Sequence, residues 1–208
     1  MRRQELIRSL KHAFAKVGGI HGLKNRYRPY VCPLAEILEQ IPKGVRLFDV
    51  GCGSGSLLWL AKEFRQLEKA DGFDVSPLAV EASRELQGVT VILRDRHEGL
   101  PSFAGYQVVT LVDVFHHILP SQQQQFLVDV LGKMDVGSQL IIADIDADRK
   151  IGTSCNQLHD LLLAREWVHP WPPRRVRELL RTAGCRELHF SRHRSLWYPH
   201  YLIRVVKA

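Results

Sequence analysis

Three glycines, Gly51, Gly53 and Gly55, alternate with small residues, and an acid, Asp49, stands two positions ahead of the first. The stretch from Val45 to Ser56 reads V-R-L-F-D-V-G-C-G-S-G-S, and Leu57 to Ala61 then begin a helix-like pattern. Strand, glycine turn and helix in that order let backbone lie directly against a ligand, with the helix start open to an anionic group. A phosphate-binding loop needs Lys and then Ser or Thr at its end, but Ser56 and Leu57 follow here. A dinucleotide loop spaces its glycines G-x-G-x-x-G; here the third glycine is one position early and Ser56 stands in its place. A turn without a ligand is disfavoured, because three glycines each cost backbone entropy.

The elements that must carry this loop follow a regular alternation. Val45–Val50, Ala70–Val75, Val89–Leu93, Gln107–Val112 and Gln139–Asp144 read as short apolar strands. Leu57–Phe64, Pro77–Leu86 and Ser121–Met134 read as the helices between them, with Ser76 a cap for the second. Such alternation implies a parallel sheet covered on both faces. The last third reads as helices at Thr153–Glu166 and Pro173–Ala183, then strands at Arg186–His193 and His200–Lys207 that should pair antiparallel. Ahead of the sheet, Arg2–Val17 has apolar residues at helical spacing and a basic opposite face, Gly18, Gly19 and Gly22 break it, and Pro33–Ile41 forms a short helix. No repeat or linker divides the 208 residues, so we expect one domain, with 1–42 a helical arm or lid and 43–208 the α/β core.

The net charge of +7 is unevenly placed. Residues 1–30 hold eight bases and one acid; the remainder holds 21 of each. The excess therefore sits on the N-terminal arm, where it suits an anionic partner such as an acidic carrier protein or membrane surface. Arg26-Tyr27-Arg28 interleaves base and aromatic as RNA binding could use, but the neutral body argues against nucleic acid. No apolar run approaches a bilayer span and no signal-peptide pattern is present. Scattered Cys32, Cys52, Cys155 and Cys185 fit reduced thiols and give no zinc-knuckle spacing. A cytoplasmic protein, at most peripheral at the inner membrane surface, is expected.

Four motifs taken together resemble the class I S-adenosylmethionine-dependent methyltransferase family. D-V-G-C-G-S-G is similar to its first motif, placing Asp49, Gly51, Cys52, Gly53 and Gly55 at the cofactor. Gly72-Phe73-Asp74-Val75 is similar to its second strand end, where the acid accepts from both ribose hydroxyls. Arg94-Asp95-Arg96 resembles the third-strand region, where an acid meets the adenine amino group, and Val112-Asp113-Val114-Phe115-His116-His117 the fourth, which borders the methyl group. The resemblance implies a Rossmann-like three-layer sandwich, a seven-stranded mostly parallel sheet with an antiparallel last strand, and S-adenosylmethionine as methyl donor. Cofactor contacts are thus expected from Asp49, Gly51, Cys52, Gly53, Gly55, Asp74, Val75, Asp95, Arg96 and Asp113. The chemistry fits: the cofactor carries a sulfonium for an acid, a carboxylate for glycine N–H groups, and a ribose with no phosphate.

Transfer of a methyl group needs a positioned nucleophile, and a base when that nucleophile is a hydroxyl. His116 and His117 are the candidate bases, and an oxygen acceptor rests on them. The fold's acceptor side offers Tyr27, Tyr30, Trp167 and Trp171, an aromatic set suited to a small or lipid-like molecule. Asp144-Ile145-Asp146-Ala147-Asp148 reads as a solvated loop, so no metal is expected. An RNA or protein methyltransferase docking through the arm, or a silent cofactor-binding subunit, are the rival readings. The intact loop with Asp49 and Asp74 counts against the silent one.

Overall fold

Side chains alternate between two cores along the central strands. In β1 (Arg46–Val50), Leu47 enters one core and Phe48 and Val50 the other; in β5 (Gln139–Ile145), Ile141 and Ile142 divide the same way. A strand buried on both sides needs helices on both. The computed structural model, which describes residues 2–149, 168–196 and 198–208, supplies them. One layer holds α1 (Arg3–Ala13), α3 (Leu34–Gln40) and α4 (Ser56–Arg65) against Leu47, Val108 and Ile141. The other holds α6 (Gln123–Gly132) and α7 (Pro173–Thr182) against Phe48, Leu111, Ile142 and Tyr201.

Seven strands lie in the order β3-β2-β1-β4-β5-β7-β6. β2 (Lys69–Asp74), β3 (Thr90–Leu93) and β4 (Val108–Val112) run parallel to β1 and β5. β7 (Tyr198–Lys207) runs antiparallel to both β5 and β6 (Cys185–Ser195), so only the last strand is reversed, as expected. Helix α5 (Pro77–Ser83) starts as read, with Ser76 Oγ accepting from Ala79 N–H at 3.3 Å. The expected helix at 153–166 lies outside the described residues.

The first helix ends ahead of Gly18, Gly19 and Gly22, as read, but these glycines also start a helix that was not read, α2 (Gly19–Val31). Glycine is needed at its first turn, where a Cβ on Gly22 would stand 2.1 Å from the Val17 carbonyl oxygen. Packing against α1, α3 and α5 overrides the poor helix propensity of G-I-H-G and of Pro29. The basic arm is also packed: Leu6 and Leu10 of α1 and Phe14 just after it are buried, and Trp59 Nε1 of α4 donates to Ser9 Oγ at 2.9 Å.

Candidate active site

Strand order turns at β1, whose neighbours are β2 and β4, and the crevice beyond the carboxyl ends there is where open α/β sheets bind ligands. The loops after β1 and β4 meet closely. Gly51 has φ +68°, and a Cβ on it would fall 2.6 Å from Val114 Cγ2. Gly72, inside β2, is needed for a different reason: its Cβ would stand 2.6 Å from the Asp49 carbonyl oxygen and 3.0 Å from Cys52 Sγ. Cys52 therefore lies buried beneath the loop, with its N–H on the Phe73 carbonyl at 3.0 Å.

The two acids flanking the loop have different tasks. Asp74 is half-exposed; its Oδ2 accepts from Gly53 N–H at 2.7 Å and its Oδ1 from Ser76 N–H at 2.9 Å. Each oxygen keeps a lone pair for a further donor. Asp49 is buried and accepts from Thr110 Oγ1 at 2.6 Å. Burial pushes its carboxyl up to about 7, against the pull of Thr110 and Arg28. Val75, beside Asp74, is exposed, as an apolar platform at the crevice mouth would be.

Sequence reading missed Arg28. Its guanidinium reaches from α2 into the crevice, 3.7 Å from Asp113 Oδ2, and feels Asp49 and Asp74 as well. The Arg26-Tyr27-Arg28 interleaving thus does not present Arg28 to an outside partner. Asn25, one helical turn earlier, accepts from Ser56 Oγ at 2.8 Å and ties α2 to the first residue of α4. The signal available was the spacing of Asn25 and Arg28 on one helical face, hidden because the segment did not read as a helix.

Asp113 is the most constrained of the expected cofactor residues. Its φ of +57° is left-handed, which costs a non-glycine residue. His200 Nε2 of β7 lies 2.9 Å from its Oδ1, and Cys32 Sγ, Asp113 and His200 offer polar atoms all within 4.8 Å of one another. Burial pushes the Asp113 carboxyl up, but His200 and Arg28 beside it hold it well below the usual range. An ionised carboxylate only accepts, so Nε2–H of His200 is the donor. Cys32 was absent from the expected site because α2 did not read as a helix, and His200 because β7 lies far from the glycine loop in sequence.

The two histidines divide. They stand on a short 3₁₀ turn, Phe115–His117, rather than on extended backbone; His116 is buried and His117 exposed, with ring centroids 4.2 Å apart. Asp144 grips the turn: His116 Nδ1–H donates to its Oδ1 at 2.6 Å, and Phe115 N–H donates to its Oδ2 at 2.9 Å. A carboxylate on Nδ1 fixes the tautomer and leaves Nε2 as the basic nitrogen. Asp144 and Asp146 are therefore no solvated loop. Both are buried, and Asp146 Oδ2 stands 3.0 Å from Arg192 Nε. The end of β5 pairs fully with β7, which carries these acids under cover.

Other expected residues scatter. Asp95 and Arg96 lie on an exposed turn beyond β3, where Asp95 Oδ1 accepts from His97 N–H at 2.8 Å. Tyr27 is exposed and Tyr30 half-buried, with centroids 5.9 Å apart on α2. Trp171 is buried, edge-on to Phe115 at 5.2 Å and covered by the Arg175 guanidinium at 3.6 Å, so it walls the site from behind the histidine turn. Trp167 lies outside the described residues.

With crevice, glycine loop and flanking acids in place, comparison with known proteins defines the class. Residues 22–189 match the family described as a methyltransferase domain. The chain belongs to that family: it is a methyltransferase of the class that takes its methyl group from S-adenosylmethionine. Among solved structures, it resembles a chain in a Haloferax volcanii complex between a methyltransferase activator and a methyltransferase (15% identity, 95% of this chain and 97% of that one, TM-score 0.74). It also resembles magnesium protoporphyrin IX methyltransferase of Synechocystis PCC 6803 with bound S-adenosylhomocysteine (14%, 99% and 98%, 0.67). A third is a Thermotoga maritima protein described as a possible histamine N-methyltransferase (16%, 96% and 100%, 0.70). These likenesses concern the fold. No match to the sequence was found among curated proteins.

Proposed function

We propose that the chain methylates a small or lipid-like molecule at oxygen, with the cofactor held by Asp49, Gly51, Cys52, Gly53, Gly55, Asp74, Val75, Asp95, Arg96 and Asp113. The observation that supports an oxygen acceptor is the buried His116–Asp144 pair behind the β4 loop. A hydroxyl must shed a proton as its oxygen takes the methyl group from the sulfonium. An imidazole whose tautomer a carboxylate fixes is suited to receive that proton. Glycine-loop N–H groups and Arg28 suit the cofactor's carboxylate, Asp74 its ribose, and Asp49 its cationic end. The helices of residues 1–42 act as the cap of the crevice, with Tyr27 and Tyr30 on its acceptor side.

The test is methyl transfer from radiolabelled S-adenosylmethionine to a panel of phenols, hydroxylated lipids, primary amines and total RNA. Label in a phenol or lipid, with at least a tenfold loss on His116→Ala and unchanged binding of S-adenosylhomocysteine, supports the reading. Label confined to amines or RNA overturns the oxygen acceptor. Failure to bind S-adenosylhomocysteine at all would strike the cofactor site itself.

The exposed basic side of α1 suits a carrier or surface that presents the acceptor, a carboxylate- or phosphate-rich one. Among the described residues no helix is long and apolar enough to cross a membrane. Charge reversal at Arg3, Arg8 and Lys11 should abolish binding to anionic vesicles or to an acidic carrier protein while cofactor affinity stays unchanged. Binding that survives the reversal would place the partner elsewhere.

A further inference from the structure

We propose that Cys32, Asp113 and His200 form a zinc site at the floor of the crevice, with three protein donors and one open position. Each donor is delivered by a different element. Cys32 closes α2; Pro33 after it forces the residue out of the helical region, and its φ of −118° and ψ of 138° are extended. Asp113 follows β4 in its left-handed turn. His200 sits near the start of β7, opposite Ile145 at the end of β5. One thiol, one imidazole and one carboxylate are a donor set that suits zinc, whereas magnesium and calcium take oxygen alone.

The spacing fits. Zinc with bonds of about 2.0–2.3 Å holds its donors on the order of 3.5 Å apart. Here all three donor atoms lie within 4.8 Å of one another, with His200 Nε2 and Asp113 Oδ1 at 2.9 Å. Arg28 takes Asp113 from its other oxygen, Oδ2, as outer partners of ligating carboxylates do. A hydrogen-bonded imidazole–carboxylate pair accounts for two members of the trio. The third member, the buried Cys32 thiol, brings a soft donor to the same point. A divalent cation held among the three would take Cys32 as its thiolate.

Thiolate and carboxylate together neutralise the ion, so the site adds no net charge beside the sulfonium. The open position takes an oxygen or sulfur donor. This rests on the methyltransferase reading only for what fills that position: a water, or the acceptor's own heteroatom, whose acidity the ion would raise.

The full chain is stripped with a strong chelator and titrated with zinc against a chromophoric competitor. One equivalent is expected, held with a dissociation constant below micromolar. Cys32→Ser and His200→Ala should each weaken it at least about a hundredfold, and Cys185→Ser should leave it unchanged. Because buried variants can misfold, the wild-type chain is also loaded with cobalt, whose thiolate-to-metal absorption band should appear. No stoichiometric zinc and no such band overturn the site and leave a hydrogen-bonded trio. Binding of S-adenosylhomocysteine, measured on the same stripped protein, separates that outcome from failure of the methyltransferase reading.

Discussion

Asp49 connects a single carboxyl group to the pH response of the site. Its raised pKa, about 7, means that the folded chain without cofactor holds a proton that the unfolded chain releases near pH 4. Stability from this residue therefore falls as pH climbs from about 4 to about 7, and Asp49→Asn should flatten that slope in denaturant titrations. A cationic ligand beside the carboxyl pulls the pKa back down. Affinity for S-adenosylmethionine should accordingly rise with pH up to about 7, with proton release visible when calorimetry is repeated in buffers of different ionisation enthalpy. Asp74 should behave otherwise. It holds the Gly53 and Ser76 amides, and the proposed function gives it the ribose, so Asp74→Ala should cost about a hundredfold in cofactor affinity at every pH, as expected for lost hydrogen bonds to a charged group. Gly72→Ala should unfold the site without touching the ligand, read as a drop in melting temperature, because its methyl group would meet the Asp49 carbonyl across the β1–β2 pair.

At the scale of elements, legibility followed periodicity. The strands around the glycine loop were readable because both faces of each are apolar, and the histidine turn because it follows one of them. α2 was not readable: two glycines in its first turn and Pro29 in its last mask a helix that tertiary contacts stabilise. With it went Asn25, Arg28 and the placement of Cys32, so the side of the crevice nearest the acids was invisible from sequence. His200 was hidden for another reason. Nothing local marks one histidine of a strand as facing a loop 87 residues away. α1 shows the reverse, since its helical spacing was legible but its burial was not. Phe14→Ala should destabilise the chain by roughly 3–5 kcal/mol, measured by urea unfolding, although Phe14 lies in what charge alone marks as a solvated arm.

For the molecule as a whole, charge is concentrated more than the sequence count showed. Besides the arm, α7 and the start of β6 bring Arg177, Arg181 and Arg186 together with Glu178 and Glu187, so the chain beyond residue 30 is neutral only in sum. The arm's charge and the site's order are joined through one run of contacts. α1 packs on α2 and α4, and α2 carries Asn25 to Ser56 and Arg28 to the crevice acids. Whatever seats itself on the basic side of α1 thus holds a helix that touches the one reaching the glycine loop and the crevice acids. Thermodynamic reciprocity then applies: if a filled crevice makes α1 a better platform, the platform's occupant must tighten the cofactor by the same factor. A methyl donor would in that case be retained most firmly by those copies of the enzyme already in the company of their acceptor.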